Sequence, residues 1–458
     1  MTTHDLVGIG LGPFNLGLAC LADPLPDLEA VFLESRSEFR WHPGMLIDGA
    51  TIQVPFLADL VTMADPTSPY SFLAWLKETG RMHRFYIRES FYPLRAEFDA
   101  YCRWAAGRVS GLRFGHHVTR VEHVVDAASP DGAYAVHVRR EDGSTTVVRG
   151  RHLAVGVGTE PSVPEALSGL DGPVVHSADY TASRDWLRSR ASVTVVGSGQ
   201  SAAEIYRDLL EGVHDGGPRV DWVTRSPRFF PMEYTKLTLE MTSPEYISYF
   251  HSLPAGRRDS LLREQRSLYK GISGGLVDDI FDTLYRLDLD ERGQQRGVPS
   301  DLLTCTEVTD AEWSPDVDRF RIGLRQWETG NTWTHETGAL VLATGYRPRV
   351  PAFLDGIADR IRRDESGRLD VARGYTVDHD DREVFVQNAE EHTHGLSAPD
   401  LGMGANRNSV ILTQVLGREA YPVERRIAFQ QFGMPSGALP VEGDLSRVPA
   451  LETAEVVA

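Results

Sequence analysis

Cysteine is scarce. The 458 residues contain three, Cys20, Cys102 and Cys305, odd in number and far apart. Such spacing builds neither a disulfide framework nor a cysteine-based zinc site, so a reducing, cytoplasmic setting is expected. No run of eighteen apolar residues occurs, and no membrane-spanning helix is expected. The N-terminal Met-Thr-Thr-His-Asp lacks a basic segment followed by an apolar one, which argues against a secretory leader. Positive charge is in deficit, with 47 Lys+Arg against 65 Asp+Glu and a net charge of −18. That balance disfavours nucleic acid as a partner and is compatible with a cationic small substrate. The apolar (41%) and charged (24%) fractions are those of an ordinary globular chain. The length allows roughly three folding units at about 150 residues each.

What is present begins at Asp5–Leu18, DLVGIGLGPFNLGL. A short strand (Leu6–Ile9) runs into glycines and then a helix start, and a second strand, Ala30–Leu33, ends on Glu34. Gly8, Gly10 and Gly12, followed by Pro13, form GxGxGP. Such a turn lets backbone N–H groups and a helix N-terminus meet a pyrophosphate. Glu34 stands where a carboxylate accepts from ribose hydroxyls. The design recurs at Ser192–Ile205, SVTVVGSGQSAAEI, with Gly197, Gly199, Gln200 and Ser201 in the turn. Here the following strand, Val220–Val223, ends near Arg225 and Arg228 and not on an acid. An arginine there can pair with a 2′-phosphate, so NADPH is favoured over NADH, with Arg225 ahead of Arg228. The alternative is that either arginine is simply solvated. The two starts lie about 190 residues apart, far beyond a solenoid period. The expected fold is therefore α/β with two Rossmann-like dinucleotide-binding domains, one for a flavin and one for a nicotinamide.

Between the two starts, Ala133–Val138 and Thr145–Val148 alternate around Glu141-Asp142-Gly143-Ser144, a hairpin signal. A strand at Leu153–Val157 precedes GTEPSVP, a crossover suited to a domain boundary. A second pair, Phe320–Arg325 and Thr332–Glu336, leads to a strand at Ala339–Ala343 and then Thr344-Gly345-Tyr346, placed where the chain returns to the first domain. Tyr234–Leu287 reads as helical and suited to covering a substrate pocket. A redox-active CxxC pair is missing, which disfavours a disulfide reductase.

At this point the motifs carry a resemblance. GPFNL within Gly10–Leu16, FRWHPGM at Phe39–Met45, IQVPFLADLVTMADPTSPYSFL at Ile52–Leu73, GSGQSAAE at Gly197–Glu204, LATGY at Leu342–Tyr346 and HTHGLS at His392–Ser397 together span most of the chain. The chain resembles the microbial N-hydroxylating flavin monooxygenases of siderophore biosynthesis, the lysine/ornithine N-monooxygenase family. The resemblance implies that NADPH reduces FAD, that reduced flavin and O2 give a C4a-hydroperoxide, and that a neutral primary amine attacks it to become a hydroxylamine. An alkylammonium has a pKa of about 10, so an apolar pocket favouring the neutral amine is expected. Carried over by position, Trp41, His42, Met45 and Gln53 lie near the isoalloxazine, and Asn388, His394, Gly395 and Leu401 meet it from the C-terminal side. Gln53 and Asn388 are the candidates nearest the chemistry. Tyr269 and Tyr346 join the nicotinamide side. Core packing is the alternative for Trp41, Met45 and Tyr269, and a hydrogen-bonded structural role for His42.

The departures concern the substrate. Amino-acid-hydroxylating members read FLKDL, with the lysine on the substrate carboxylate; this chain reads FLADL, with Ala58. A serine of the family is replaced by Gly402, and an asparagine, on a looser alignment, by Leu268. An unpaired carboxylate in a partly dry pocket costs several kcal/mol, about 3 or more, so a diamine is expected, cadaverine ahead of putrescine. Asp400 is the candidate for the distal ammonium, with a helix cap as its alternative; Glu240 and Glu245 rank behind it. An amino acid remains open if Lys236 or Lys270 replaces the lost lysine, as does a flavoprotein that only oxidises NADPH. The expected organisation is an FAD domain over 1–165 and 337–435, an NADPH domain over 166–336 with the helical cover at about 234–287, and a flexible tail over 436–458. The partners implied are the diamine and O2, no nucleic acid or metal, and further copies of the chain in a homotetramer.

Overall fold

The computed structural model describes residues 2–127 and 129–435 and contains two sheets with parallel cores. The tail expected over 436–458 lies outside the described residues. In the first sheet Leu112–Arg113, Ala30–Leu33, Thr3–Ile9 and Thr145–Val155 lie side by side in parallel, and Val384–Val386 pairs with the end of Thr145–Val155. Their apolar runs suit strands covered on both faces, and Val7, Phe32 and Leu153 are fully buried. Register aligns Leu33, Ile9, Val155 and Val386 in one row. The chain therefore leaves the sheet at Glu34, Gly10, Gly156 and Gln387 side by side, at the carboxyl ends where open α/β sheets bind ligands.

The hairpin forms as expected, Ser129–Arg140 against Thr145–Val155, with Gly143 at φ +80° and the Ser144 N–H donating to Asp142 at 2.8 Å. His116–Asp126 adds a third antiparallel strand. Leu153–Val157, read as a separate strand, is the far end of Thr145–Val155: one long strand pairs first with the hairpin and then with Val384–Val386. One face of the sheet is covered by helices Pro13–Ala22, Arg95–Ala106 and Gly404–Leu416, whose Leu16, Phe98, Tyr101 and Ile411 share a core. In Arg95–Ala106 the buried Phe98, Tyr101, Cys102 and Ala105 follow the i, i+3, i+4, i+7 stripe of an amphipathic helix.

The second sheet orders Leu302–Leu303, Arg219–Val223, Ser192–Val196, Leu340–Leu342 and Val174–His176, all parallel. This corrects the boundary expected at 336/337. The strand expected at Ala339–Ala343 does not open the return to the first sheet; as Leu340–Leu342 it sits between two strands of the second, the position that buries Leu-Val-Leu on both faces. The return follows it, where Tyr346–Pro348 pairs antiparallel with the outgoing Thr159–Pro161. The pair expected at Phe320–Arg325 and Thr332–Glu336 forms as Arg319–Gln326 and Thr332–Thr337 and joins Thr306–Ser314 in a separate three-stranded sheet, packed on the second through Phe320, Ile322 and Leu324.

The segment 234–287 is helical but broken into Lys236–Leu239, Pro244–Ser252, Ala255–Glu264, Arg266–Lys270 and Gly274–Leu287. Pro244 at a helix start capped by Ser243, Pro254 and Gly271 supply the breaks. None of the described helices is long and apolar enough to cross a membrane. The loop Pro43–Met45 presses on the second unit: Thr181 Oγ1 donates to the Pro43 carbonyl at 2.9 Å, and a Cβ on Gly44 would lie 1.7 Å from the Ala178 carbonyl oxygen. Gly44→Ala is expected to lower stability by about 1–3 kcal/mol, read as an earlier urea-unfolding midpoint; an unchanged midpoint contradicts the close approach.

Candidate active site

Both glycine turns open onto one cleft of about 2450 Å³. A small-ligand pocket is about 300–1,000 Å³, so this space exceeds one such ligand. At the first turn Gly10 has φ +84°, and a Cβ there would lie 2.6 Å from the Gly156 carbonyl oxygen. Gly12 caps the helix Pro13–Ala22 with open space on its Cα. Glu34 Oε2 accepts from the Leu11 N–H at 2.7 Å and Oε1 from the Arg36 N–H at 2.9 Å, so the carboxylate braces the turn and also lines the cleft. Gly8 departs from the phosphate-binding expectation. It does not line the cleft; a Cβ there would lie 2.0 Å from the Phe32 ring, so its lack of a side chain serves strand packing.

Two residues the motif reading did not single out hold this corner. Asn15 Nδ2 donates to the Gly10 carbonyl at 2.7 Å, and its Oδ1 accepts from Gln387 Nε2 at 2.7 Å. The signal was a fully buried amide on an otherwise apolar helix face. Gln53, Asn388 and Leu401 line the cleft. The buried Gln53 Nε2 has no hydrogen-bond partner among the described residues, which is how a donor reserved for a ligand looks. Asn388 takes φ +61°, turning the chain at the cleft wall.

Trp41 and His42 line the cleft with their rings 5.1 Å apart, edge to face, and His42 meets Tyr346 from the returning segment at 5.8 Å. His42 sits at φ +45° and keeps solvent contact in the open cleft; partial loss of hydration there, with Arg95 and Arg36 nearby, lowers its pKa to about 4. It is therefore neutral at physiological pH. Met45 also reaches the cleft, but its side chain belongs to the core of the second unit, in line with the packing alternative. His394 and Gly395 do not line the cleft. His394 is buried against the Tyr375 ring at 4.6 Å and bonds Thr393 and the Arg373 carbonyl; a Cβ on Gly395 would touch the Phe250 ring. Most of the HTHGLS segment thus braces the wall, while its Leu396 and the following Pro399, Asp400 and Leu401 reach the space.

At the second turn Gly197 would place a Cβ 2.2 Å from the Ala343 carbonyl oxygen. Gly199, Gln200 and Ser201 start the helix Gln200–Leu210 at the cleft. Arg225 lines the cleft, while Arg228 does not and lies over the Phe230 ring at 4.3 Å. Tyr269 and Leu268 line it from the cover; the Tyr269 hydroxyl bonds Glu391, and burial with that carboxylate raises its pKa.

The substrate-side departures converge. Asp59 accepts from the N–H groups of Val61, Thr62 and Phe72 at 2.6–2.9 Å, which fixes the loop carrying Ala58. Ala58 Cβ lies 3.7 Å from where a Cβ on Gly402 would stand, so the two replaced positions are neighbours, just behind the cleft wall beside Leu401. Asp400 Oδ1 caps the short helix Leu401–Met403 through the Gly402 N–H at 2.7 Å, and the residue lines the cleft; burial raises its carboxyl pKa. The helix-cap alternative for Asp400 is thus present, in a residue that also faces the cleft. Glu240 and Glu245 are corrected: they accept backbone N–H groups of Phe429, Gln430, Ile427 and Ala428. Lys270 pairs with Glu391 at 2.5 Å, and Lys236 is exposed. No cluster of metal-binding side chains occurs among the described residues.

The family model described as L-lysine 6-monooxygenase/L-ornithine 5-monooxygenase matches residues 2–348. This chain belongs to that family. Among family relatives, it is 46% identical to a putrescine N-hydroxylase of Shewanella oneidensis over 94% of this chain and 84% of that protein. It superposes with a TM-score of 0.91, at 46% identity, on the FAD-bound cadaverine monooxygenase of desferrioxamine biosynthesis from Erwinia amylovora, covering 96% of this chain and all of that one. The match to the ornithine N-hydroxylase of Kutzneria sp. 744, solved with reduced FAD, NADP+ and L-ornithine, has a TM-score of 0.81 at 29% identity, covering 92% and 100%.

His42 yields a pH prediction. Unfolded histidine takes up a proton near pH 6.5, whereas folded His42 does so only at about pH 4. Between those values the unfolded chain binds more protons, so stability falls as pH drops from about 6.5 to 4. His42→Asn, which tolerates the left-handed backbone, is expected to flatten that slope by about 1 kcal/mol or less, because the exposed ring is screened by solvent, in urea unfolding across this range; parallel wild-type and variant profiles count against it.

Proposed function

We propose that this chain N-hydroxylates one primary amine of an aliphatic diamine, cadaverine ahead of putrescine, using NADPH and O2 with FAD as cofactor, in hydroxamate siderophore biosynthesis. The observation that carries the substrate class is the adjacency of Ala58 and Gly402 beside Asp400: uncharged, small positions next to a carboxylate on the cleft wall. Identity to diamine hydroxylases at 46%, against 29% to the ornithine enzyme, supports the same reading. When bound, FAD reduced by NADPH activates O2 and supplies the oxygen atom that reaches the amine.

The residues divide the remaining work. The Gly12 N–H and the N-terminus of helix Pro13–Ala22 face the FAD pyrophosphate, and Glu34, which braces the turn through the Leu11 N–H, accepts from its ribose. Gln53 and Asn388 face the reacting end of the cleft; Gln53 Nε2 offers a donor already desolvated and unspent. Gly197, Gly199, Ser201 and Arg225 take the NADPH phosphates, and Tyr346 stands between the two turns. The reacting nitrogen must be neutral to use its lone pair, and an apolar wall including Leu268 and Leu401 favours that form. Asp400 anchors the distal ammonium, whose charge offsets the burial of the carboxylate. One methylene separates cadaverine from putrescine, about 1–3 kcal/mol of discrimination.

We further read the protein as cytoplasmic and homotetrameric. Three buried free cysteines support the first reading. The exposed apolar side chains of Tyr86, Ile87 and Phe91 support self-association, which analytical ultracentrifugation tests.

The test is an amine panel scored by hydroxylamine formed. Diamines as substrates, with lysine and ornithine inert, is the expected result; hydroxylation of lysine or ornithine alone overturns the substrate class, and peroxide without hydroxylamine overturns the hydroxylase. Asp400→Asn keeps the cap acceptor and removes the charge. It is expected to raise the diamine KM about 10–100-fold, as loss of a charge-assisted bond does; an unchanged KM removes Asp400 from substrate binding.

A further inference from the structure

A continuous line of hydrogen bonds runs behind the cleft. Arg95, the first residue of helix Arg95–Ala106, donates from Nη1 to the Met45 carbonyl at 2.9 Å and to Glu204 Oε2 at 2.7 Å, and from Nη2 to Glu204 Oε1 at 2.8 Å. Glu204 lies one turn into the helix that follows the second glycine turn. Its Oε1 also accepts from Gln200 Nε2 at 2.9 Å, and Gln200 Oε1 accepts from the Ser273 N–H at 2.8 Å. Ser273 caps the start of Gly274–Leu287 in the cover. Arg95 and Glu204 are both buried, and Arg95 and Gln200 both line the cleft.

We infer that Arg95 and Glu204 are positioning residues, which hold the second glycine turn and the cover at a fixed distance from the Trp41–Met45 loop and so keep the nicotinamide in register with the flavin. This rests on the functional reading above. Stability alone is a poor account of the pair, because apolar residues of similar volume serve a buried site as well or better. What the fork adds is orientation: two parallel bonds fix both separation and angle between two helices from different sheets. Transfer between bound groups is sensitive to that geometry, and a shift of about 1 Å costs on the order of 100-fold. Gln200, expected from the motif to touch NADPH, has its amide committed to Glu204 and Ser273 and passes the constraint onward.

Three variants test this: Glu204→Gln, Arg95→Lys, and the double change Arg95→Met with Glu204→Met. FAD content, thermal midpoint, NADP+ affinity by calorimetry, and hydroxylamine and H2O2 formed per NADPH are measured on each. In turnover without hydroxylation both electrons of NADPH pass to O2, giving H2O2. The expected result is that variants retaining FAD still consume NADPH, while NADP+ binding weakens by about 3–10-fold and hydroxylamine per NADPH falls at least about 3-fold, with H2O2 making up the difference. The double variant is expected to recover the thermal midpoint but not the hydroxylamine yield. Wild-type yield and NADP+ affinity in the double variant overturn the inference, as does a loss of all readouts in proportion to the thermal midpoint. If either single variant fails to fold, the double variant decides. Calorimetry does not depend on turnover, so an error in the substrate class leaves that arm intact and is seen separately in the wild-type amine panel.

Discussion

At Gly10 and Gly197 the backbone passes so near a second carbonyl that no side chain fits: a Cβ would stand 2.6 Å from the oxygen of Gly156 and 2.2 Å from that of Ala343. Each approach is made at the carboxyl end of a parallel sheet, where register brings neighbouring strands to a common edge. Because the turns stay tight, the helices behind them begin at the cleft and point their unsatisfied N–H groups into it. The rest follows from that packing: Glu34 can brace the first turn, Asn15 can tie it to the C-terminal segment, and Phe32 can fill the space a side chain on Gly8 would occupy.

The two sheets are joined by chain that crosses twice, and the crossings zip together at Thr159–Pro161 and Tyr346–Pro348. A two-stranded ribbon alone leaves the sheets free to twist. Three features oppose this: Gly44 packed on the Ala178 carbonyl, the Thr181 bond to Pro43, and the buried Arg95–Glu204 pair. All three involve the loop around Pro43–Met45 or the helix beside it. The segment expected to touch the flavin is therefore also one of the segments that hold the second unit.

On the substrate side, loops and not sheets set the chemistry. Asp59 gathers the N–H groups of its own loop and holds Ala58 against Gly402. Asp400 is drawn two ways, since burial disfavours its charge while the capped helix and the nearby Arg407 favour it. A cationic ligand would settle that balance towards the carboxylate. The positions read as separating an amino acid from a diamine thus lie around one small space, in a scaffold that superposes on a cadaverine monooxygenase and an ornithine N-hydroxylase alike.

Local signals were legible. The strand–glycine–helix starts, the Asp142-Gly143 hairpin and the Glu34 terminus each depend on residues adjacent in the chain, and each forms as read. The cover was legible as helix, and the structure adds its breaks at Pro244, Pro254 and Gly271. Contacts between distant segments were not. Leu340–Leu342 looks the same in sequence whichever sheet receives it, and only pairing with Ser192–Val196 and Val174–His176 decides. His394 and Gly395 share a motif with Leu401, yet Tyr375, Arg373 and Phe250 claim them for the wall. The sequence by itself determined which turns can carry a phosphate and which positions lack a cation, because both depend on residue chemistry and short-range backbone geometry. The tertiary structure decided which of those residues face the cleft and how Arg95 meets Glu204 across 109 positions of chain, because burial and charge pairing are properties of groups that only folding brings together.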